Sequence, residues 1–257
     1  MKIAIMGAGK MGAWLASHLS GENEVAVFDR DASKAGQIKG VMRLAAVSDM
    51  EGFSPGLFIN AVSLQNIQAA FDEALPHLPK SCVISDVASV KGGLGKFYAK
   101  SGFAFASVHP MFGPTFANME SLREENAIVI SESDRKTADF FTHFFARLGV
   151  KVHEMSFEEH DQMMAYSLTT PFVSSLVFAS CVDKTAVPGA TFARHMKIAK
   201  GVLSEDDHLL CEILFNPKSI QQIDQINSRL ELLKHIIKGR DYEEARAFLG
   251  KLRKKIE

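Results

Sequence analysis

A cysteine framework is the first thing this chain lacks. Its three cysteines, Cys82, Cys181 and Cys211, are odd in number and widely spaced, with no paired spacing for zinc. A disulfide scaffold is thereby excluded, and the pattern fits a reducing cytosol. Long hydrophobic runs are also missing: the most apolar stretch, Phe172 to Val182, is far short of the ~20 residues that span a bilayer. The start, MKIAIMGAGK, is a short apolar run cut by glycines with no small-residue cleavage site behind it, so no secretory signal is expected. Charge of one sign is not in excess. Lys and Arg number 29 against 30 Asp and Glu, and no basic block precedes the last few residues, which argues against nucleic acid as a partner. Internal repeats, low-complexity segments and disordered linkers are absent too. What is present is 257 residues of ordinary soluble composition, enough to bury a real core and suited to a small-molecule partner in the cytoplasm.

From Lys2 to about Met155, short β-branched or aromatic runs (KIAIM, EVAVF, LFINAV, CVISDV, FAFASV, NAIVIS, KVHEM) alternate with helical patterns. Runs apolar throughout, separated by helices, predict parallel strands covered on both faces, a doubly wound α/β domain over 1–155. Strand signals then stop. Ser156 and Glu159 have capping-box spacing, and the following run sets His160, Met163, Met164 and Ser167 on one helix face. The two methionines on that face read as core. Pro171 is expected to bend this helix rather than end it, since apolar residues continue to Val182. SEDDHLLCEILF predicts a helix capped by Ser204, and DYEEARAFLGKLRKKI a last one, acidic at its start and basic at its end. Residues 156–257 thus read as an all-helical domain.

Gly7, Gly9 and Gly12 stand at Gly-x-Gly-x-x-Gly spacing between the first strand and the helix KMGAWLASHLS. Such glycines permit a tight turn, close approach of a pyrophosphate and close helix–strand packing, with helix N-terminal amides facing the phosphates. Asp29 ends the second strand, where a carboxylate would accept ribose hydroxyls. Strand, helix and acid together predict a dinucleotide site, with Lys10 and Met11 opening the helix and Val62 and Ser63 following the run LFINAV beside it. Asp29 would repel a 2′-phosphate and so favours NAD, while Arg30 beside it leaves NADP open.

Ligands of an open parallel sheet bind beyond the carboxyl ends of its strands. His109 follows FAFASV at that edge, and Ser89 follows CVISDV. An imidazole with an ordinary pKa near ~6.5 can take a proton from a hydroxyl as hydride leaves the same carbon. A histidine after a strand also serves as a loop or capping residue, and position alone does not separate the two roles.

DVASVKG, with HPMFGP twenty residues later and EEHD opening a long helix in a helical second domain, resembles the prephenate/arogenate dehydrogenases of tyrosine biosynthesis. The resemblance runs over the whole chain. It implies a Rossmann-type N-terminal domain, a helical C-terminal domain that forms a homodimer, and an active site in the interdomain cleft. It also implies the reaction: hydride passes from the ring carbinol of prephenate to NAD+, carbon dioxide is lost, and 4-hydroxyphenylpyruvate results. His109 would be the base and Ser89 would orient the hydroxyl. Pro110 and Pro114 would restrict the loop that holds the base. Lys91 would add to the positive field near the cofactor, or lie solvated.

Substrate carboxylates need cations. The family binds one with an arginine beyond the long helix, and TFARHMKIAKG offers Arg194 and Lys197, of which the bidentate guanidinium of Arg194 is preferred. The family often has a histidine eleven residues after the aspartate of the HD pair, but here that position is Phe172. Ser167, Thr169 and Thr170 are candidate polar substitutes, and His160 of the HD pair is either a substrate contact or a packing residue. Two alternatives stay open: arogenate dehydrogenase, and a non-catalytic nucleotide sensor, which would leave HPMFGP and SVKG without a purpose. With no room for a chorismate mutase domain and no βαββαβ pattern after the helical half, a single activity without an attached regulatory domain is expected.

Overall fold

The computed structural model describes residues 1–112, 122–183 and 187–257, so Pro114 lies outside the described residues. The chain divides into two compact units, Met1–Gln162 and Met163–Glu257. The sequence places the junction near Met155. In the structure the first turns of the next helix still group with the sheet.

The first unit is built on one eight-stranded sheet with the order β3-β2-β1-β4-β5-β6-β7-β8. Its strands are β1 (Lys2–Met6), β2 (Glu24–Phe28), β3 (Met42–Arg43), β4 (Leu57–Asn60), β5 (Val83–Asp86), β6 (Phe105–Pro110), β7 (Asn126–Ile130) and β8 (Lys151–Met155). Strand periodicity divides their side chains between two cores. Ile3, Ile5, Val25, Val27, Leu57, Ile59 and Val108 pack on one face beneath α1 (Lys10–Leu19) and α6 (Arg135–Arg147), with Trp14, Leu15, Phe141 and Phe145. Ala4, Met6, Phe28, Phe58 and Ile84 face the other side, under α3 (Asp49–Phe53), α4 (Ile67–Ala74) and α5 (Leu94–Ser101), with Met50, Phe71 and Tyr98. A short helix α2 (Ala32–Gly36) follows β2.

The sheet is not wholly parallel. β7 pairs antiparallel with β6, and β8 then runs parallel to β7. This antiparallel pair departs from the all-parallel sheet that the alternation of strand and helix patterns led one to expect. The two-residue β3 is too short to leave a sequence signal.

After β8 comes α7 (Phe157–Met164), whose capping box forms as predicted. Ser156 N donates to Glu159 Oε2 at 2.8 Å and Glu159 N to Ser156 Oγ at 3.2 Å. The chain continues through a π-helical turn, Ala165–Thr169, into α8 (Thr170–Ser180). Pro171 lacks an N–H and crowds the carbonyl four residues back, and a widened turn just ahead of it accommodates both demands. The second unit continues with α9 (Ala190–Val202), α10 (Asp207–Leu214), α11 (Ser219–Gly239) and α12 (Tyr242–Ile256). Among its described residues every element is helical. The cap of α10 is Asp206, not Ser204: its carboxylate accepts from His208 N and Leu209 N, while Ser204 Oγ turns back to Gly201 O. Two of the methionine expectations part company, since Met164 is buried but Met163 is exposed.

Candidate active site

The glycine motif does what its spacing predicts. Gly7 has φ +102°, in the region that only glycine enters cheaply, and a Cβ on Gly12 would stand 1.9 Å from Gly7 O. Nothing lies within 4 Å of a Cβ position on Gly9, so that point is open to a ligand. Beside this turn is a cavity of about 280 Å³ lined by Gly7, Gly9, Asp29, Arg30, Val62 and Ser63, among others. Asp29 Oδ2 accepts from Ala8 N at 2.6 Å and Oδ1 from Asp31 N at 2.8 Å, which locks the carboxylate between the glycine turn and the end of β2. A glycine cradle at a helix N-terminus, a locked carboxylate and a cleft between them fit a dinucleotide. Lys10 and Met11 open α1 but do not line the cavity.

His109 belongs to β6 rather than to a loop behind it: it pairs with Ile128 of β7, and Pro110 is the strand's last residue. Alternation along β6 puts Val108 in the core beneath α1 and α6, and so turns Phe105, Ser107 and His109 to the opposite face. On that face Phe157, at the start of α7, stacks on Phe105 with centroids 6.1 Å apart and on Tyr98 at 6.4 Å. One helical turn later α7 brings His160 to His109, whose Nδ1 lies 3.1 Å from His160 Nε2. His160 Nδ1 is 3.2 Å from Asp161 Oδ1.

This network assigns the protons. A carboxylate only accepts, so His160 carries its hydrogen on Nδ1, and its Nε2 lone pair accepts from His109 Nδ1–H. Among the described residues no partner is placed at His109 Nε2, which keeps its lone pair. Burial, reinforced by the Lys91 charge and by His160, holds the His109 pKa well below its ordinary value. Burial likewise lowers that of His160, against the opposing pull of Asp161. His109 is therefore a neutral imidazole with a free lone pair at physiological pH.

Sequence reasoning missed how Lys91 sits. Far from being solvated, it is 1% exposed, and its ammonium donates to Asp86 Oδ2 and, at 2.7 Å, to Val108 O. β5 pairs with β6 only as far as Asp86 opposite Ser107, and Lys91 holds the next stretch of β6. The other carboxylate oxygen of Asp86 accepts from Tyr98 OH at 2.6 Å. Half-buried Ser89 lies on the loop between these two anchors. No sequence signal marks Lys91 as buried, because a lysine after a strand is ordinarily solvated.

No protein-family model matches the chain. Over 254 residues it is 25% identical to arogenate dehydrogenase 1, chloroplastic, of Arabidopsis thaliana, covering 93% of this chain and 40% of that protein. Over 257 residues it is 22% identical to a probable arogenate/prephenate dehydrogenase of Methanocaldococcus jannaschii, covering 93% and 57%. The chain is related to the arogenate and prephenate dehydrogenases. It spans about half the length of these two relatives. Among solved structures, prephenate dehydrogenase from A. aeolicus in complex with hydroxyphenyl propionate and NAD+ superposes with a TM-score of 0.84 at 21% identity, over 99% of this chain and 96% of that one. Synechocystis arogenate dehydrogenase does so with 0.81 at 18%, over 99% and 98%. At these identities the superpositions establish the fold: a Rossmann-type sheet followed by a helical part.

Measured against that relationship, the remaining expected residues divide. His160 has no exposed surface, and both of its ring nitrogens are engaged, by His109 and by Asp161, which is the geometry of a support for His109. Thr169 is also wholly buried, its hydroxyl 2.7 Å from Ser219 Oγ, which leaves nothing for a substrate carboxylate. Thr170 is half-buried at the start of α8. Arg194 and Lys197 are exposed, three residues apart on α9. Burial pushes the Cys82 thiol up to about 12, so it is no nucleophile. Among the described residues no group of three His, Cys, Asp or Glu is placed to hold a metal ion, and no helix is long and apolar enough to cross a membrane.

Proposed function

We propose that this chain is an NAD-dependent prephenate dehydrogenase, oxidising prephenate to 4-hydroxyphenylpyruvate with loss of carbon dioxide. The observation that carries the proposal is the bare Nε2 of His109, oriented through His160 by Asp161 at the carboxyl end of β6. A dinucleotide held by the cleft that Gly7, Gly9, Asp29, Val62 and Ser63 line would supply the hydride acceptor. His109 Nε2 takes the proton of the ring hydroxyl as the hydride departs from the same carbon, which turns that carbon into a ketone. Ser89 hydrogen-bonds to the hydroxyl and orients it. The ring carboxylate then leaves as carbon dioxide, its bonding electrons complete the aromatic ring, and the ketone oxygen, now a phenolate, takes back the proton held on His109 to become the phenol. Arg194, with Lys197 on the same face of α9, is the cation we assign to a substrate carboxylate.

Arogenate, which has an amino group in place of the side-chain ketone, is the second reading. The Arabidopsis relative's name favours it, as does Phe172 where the family often has a histidine. His109 serves both substrates alike.

A homodimer is part of the proposal. Ile223, Ile226, Leu230, Leu233 and Ile237 recur along α11 at the alternating spacing of three and four that forms a helix seam, and the last three are exposed. Leu249, Leu252 and Ile256 repeat this on α12, which buries no residue within its own chain. A second copy would cover them.

His109→Asn tests the chemistry. Turnover should fall by about 10²–10⁴, the usual contribution of a general base, while NADH binding, followed by its fluorescence, is retained. Turnover near that of the wild type would remove His109 as the base.

A further inference from the structure

Arg30 is the residue that leaves the cofactor choice open in sequence, because a guanidinium next to Asp29 would suit an adenosine 2′-phosphate. In the structure it is already engaged. Arg30 Nη2 donates to Glu73 Oε2 at 3.0 Å. Glu73 stands on α4, one turn past Ala70, which lines the same cleft as Arg30. The pair therefore ties the chain just after β2 to α4 beside that cavity. Lys34 lines the cavity as well, within electrostatic reach of Asp31, whose carboxyl is held low first by its hydrogen bonds with Ser33.

We propose that Glu73 is a cofactor-specificity residue: by occupying the Arg30 guanidinium and adding a third carboxylate beside Asp29 and Asp31, it keeps a 2′-phosphate out of the cleft. The proposal rests on the dinucleotide reading of the glycine turn. A 2′-phosphate dianion would have to displace a carboxylate from Arg30 and enter a site already carrying the Asp29 carboxylate. A cofactor without that phosphate meets neither obstacle. Both partners are largely solvent-exposed, so the pair adds little to folding stability and its removal leaves the unit intact.

The test is calorimetric titration of the full chain with NADH and NADPH, carried out on the wild type, Glu73→Ala and the double variant Arg30→Ala/Glu73→Ala. The wild type should bind NADH the more tightly. Glu73→Ala should tighten NADPH binding by about tenfold, equivalent to ~1.4 kcal/mol, with the NADH constant within about twofold of its starting value. The double variant should lose the gain. An NADPH constant unmoved by Glu73→Ala overturns the proposal while leaving the dinucleotide site standing. So does a gain that survives in the double variant, since Arg30 would then not be its source. A wild type that binds neither dinucleotide overturns the reading of the glycine turn, and this proposal falls with it.

Discussion

At the residue scale, the site turns on a histidine kept neutral. The groups facing His109 are the Lys91 ammonium, His160, and the carboxylates of Asp86 and Asp161 behind them. Burial and Lys91 disfavour the imidazolium, so the base stays unprotonated below the pH at which an ordinary histidine titrates. The acid limb of the kcat/KM profile should accordingly lie below pH ~6.5, with activity retained above it. A limb at or above that value would show that His109 is not the titrating base. Folding is linked with the same sign: the unfolded chain protonates these histidines near ~6.5 and the folded chain does not, so their contribution to stability is complete above that pH and is lost as the pH falls. His109 was legible in the sequence from its place after a strand. Its partners were not, because neither the depth of Lys91 nor the contact between His109 and His160, 51 residues apart, leaves a local pattern.

At the element scale, the legible features are those with short-range causes. The glycine turn, the capping box of α7 and the acid-to-base gradient of α12 are each written within a few residues. The antiparallel turn of the sheet at β7 and the cap of α10 were not recovered. The first depends on pairing between strands, and the second on a choice among Ser204, Asp206 and Asp207 that only backbone geometry makes. The π-turn before Pro171 shows how one element can mislead about function. It carries Thr169 inward to Ser219, whose hydroxyl in turn donates to Ile213 O at 3.1 Å, so the threonine hydroxyl ties the π-turn to the start of α11. Thr169→Val should therefore lower stability by about 1 kcal/mol, the net worth of one buried hydrogen bond, seen as a lower Tm in circular dichroism. Its KM for prephenate should not change. A raised KM with unchanged Tm would return Thr169 to the substrate site.

At the scale of the whole molecule, a long amphipathic pair of helices is left with its apolar seams in water, and a second copy is the proposed cover. Light scattering should return twice the 28.2 kDa of the chain. A monomer mass at working concentration would reject the dimer and leave the seams of α11 and α12 unexplained. Fold class was readable along the chain, since alternating strand and helix patterns give way to helices alone. The choice between prephenate and arogenate was not, because both carry the ring hydroxyl on which His109 is proposed to act. The proposed activity is oxidation of one of these two compounds with NAD+. Prephenate, and separately arogenate, is added to the protein with NAD+, and the absorbance of reduced cofactor is followed while the aromatic product is assayed. NADH and 4-hydroxyphenylpyruvate should appear in equal amounts from prephenate. No NADH from either compound would contradict the proposed activity.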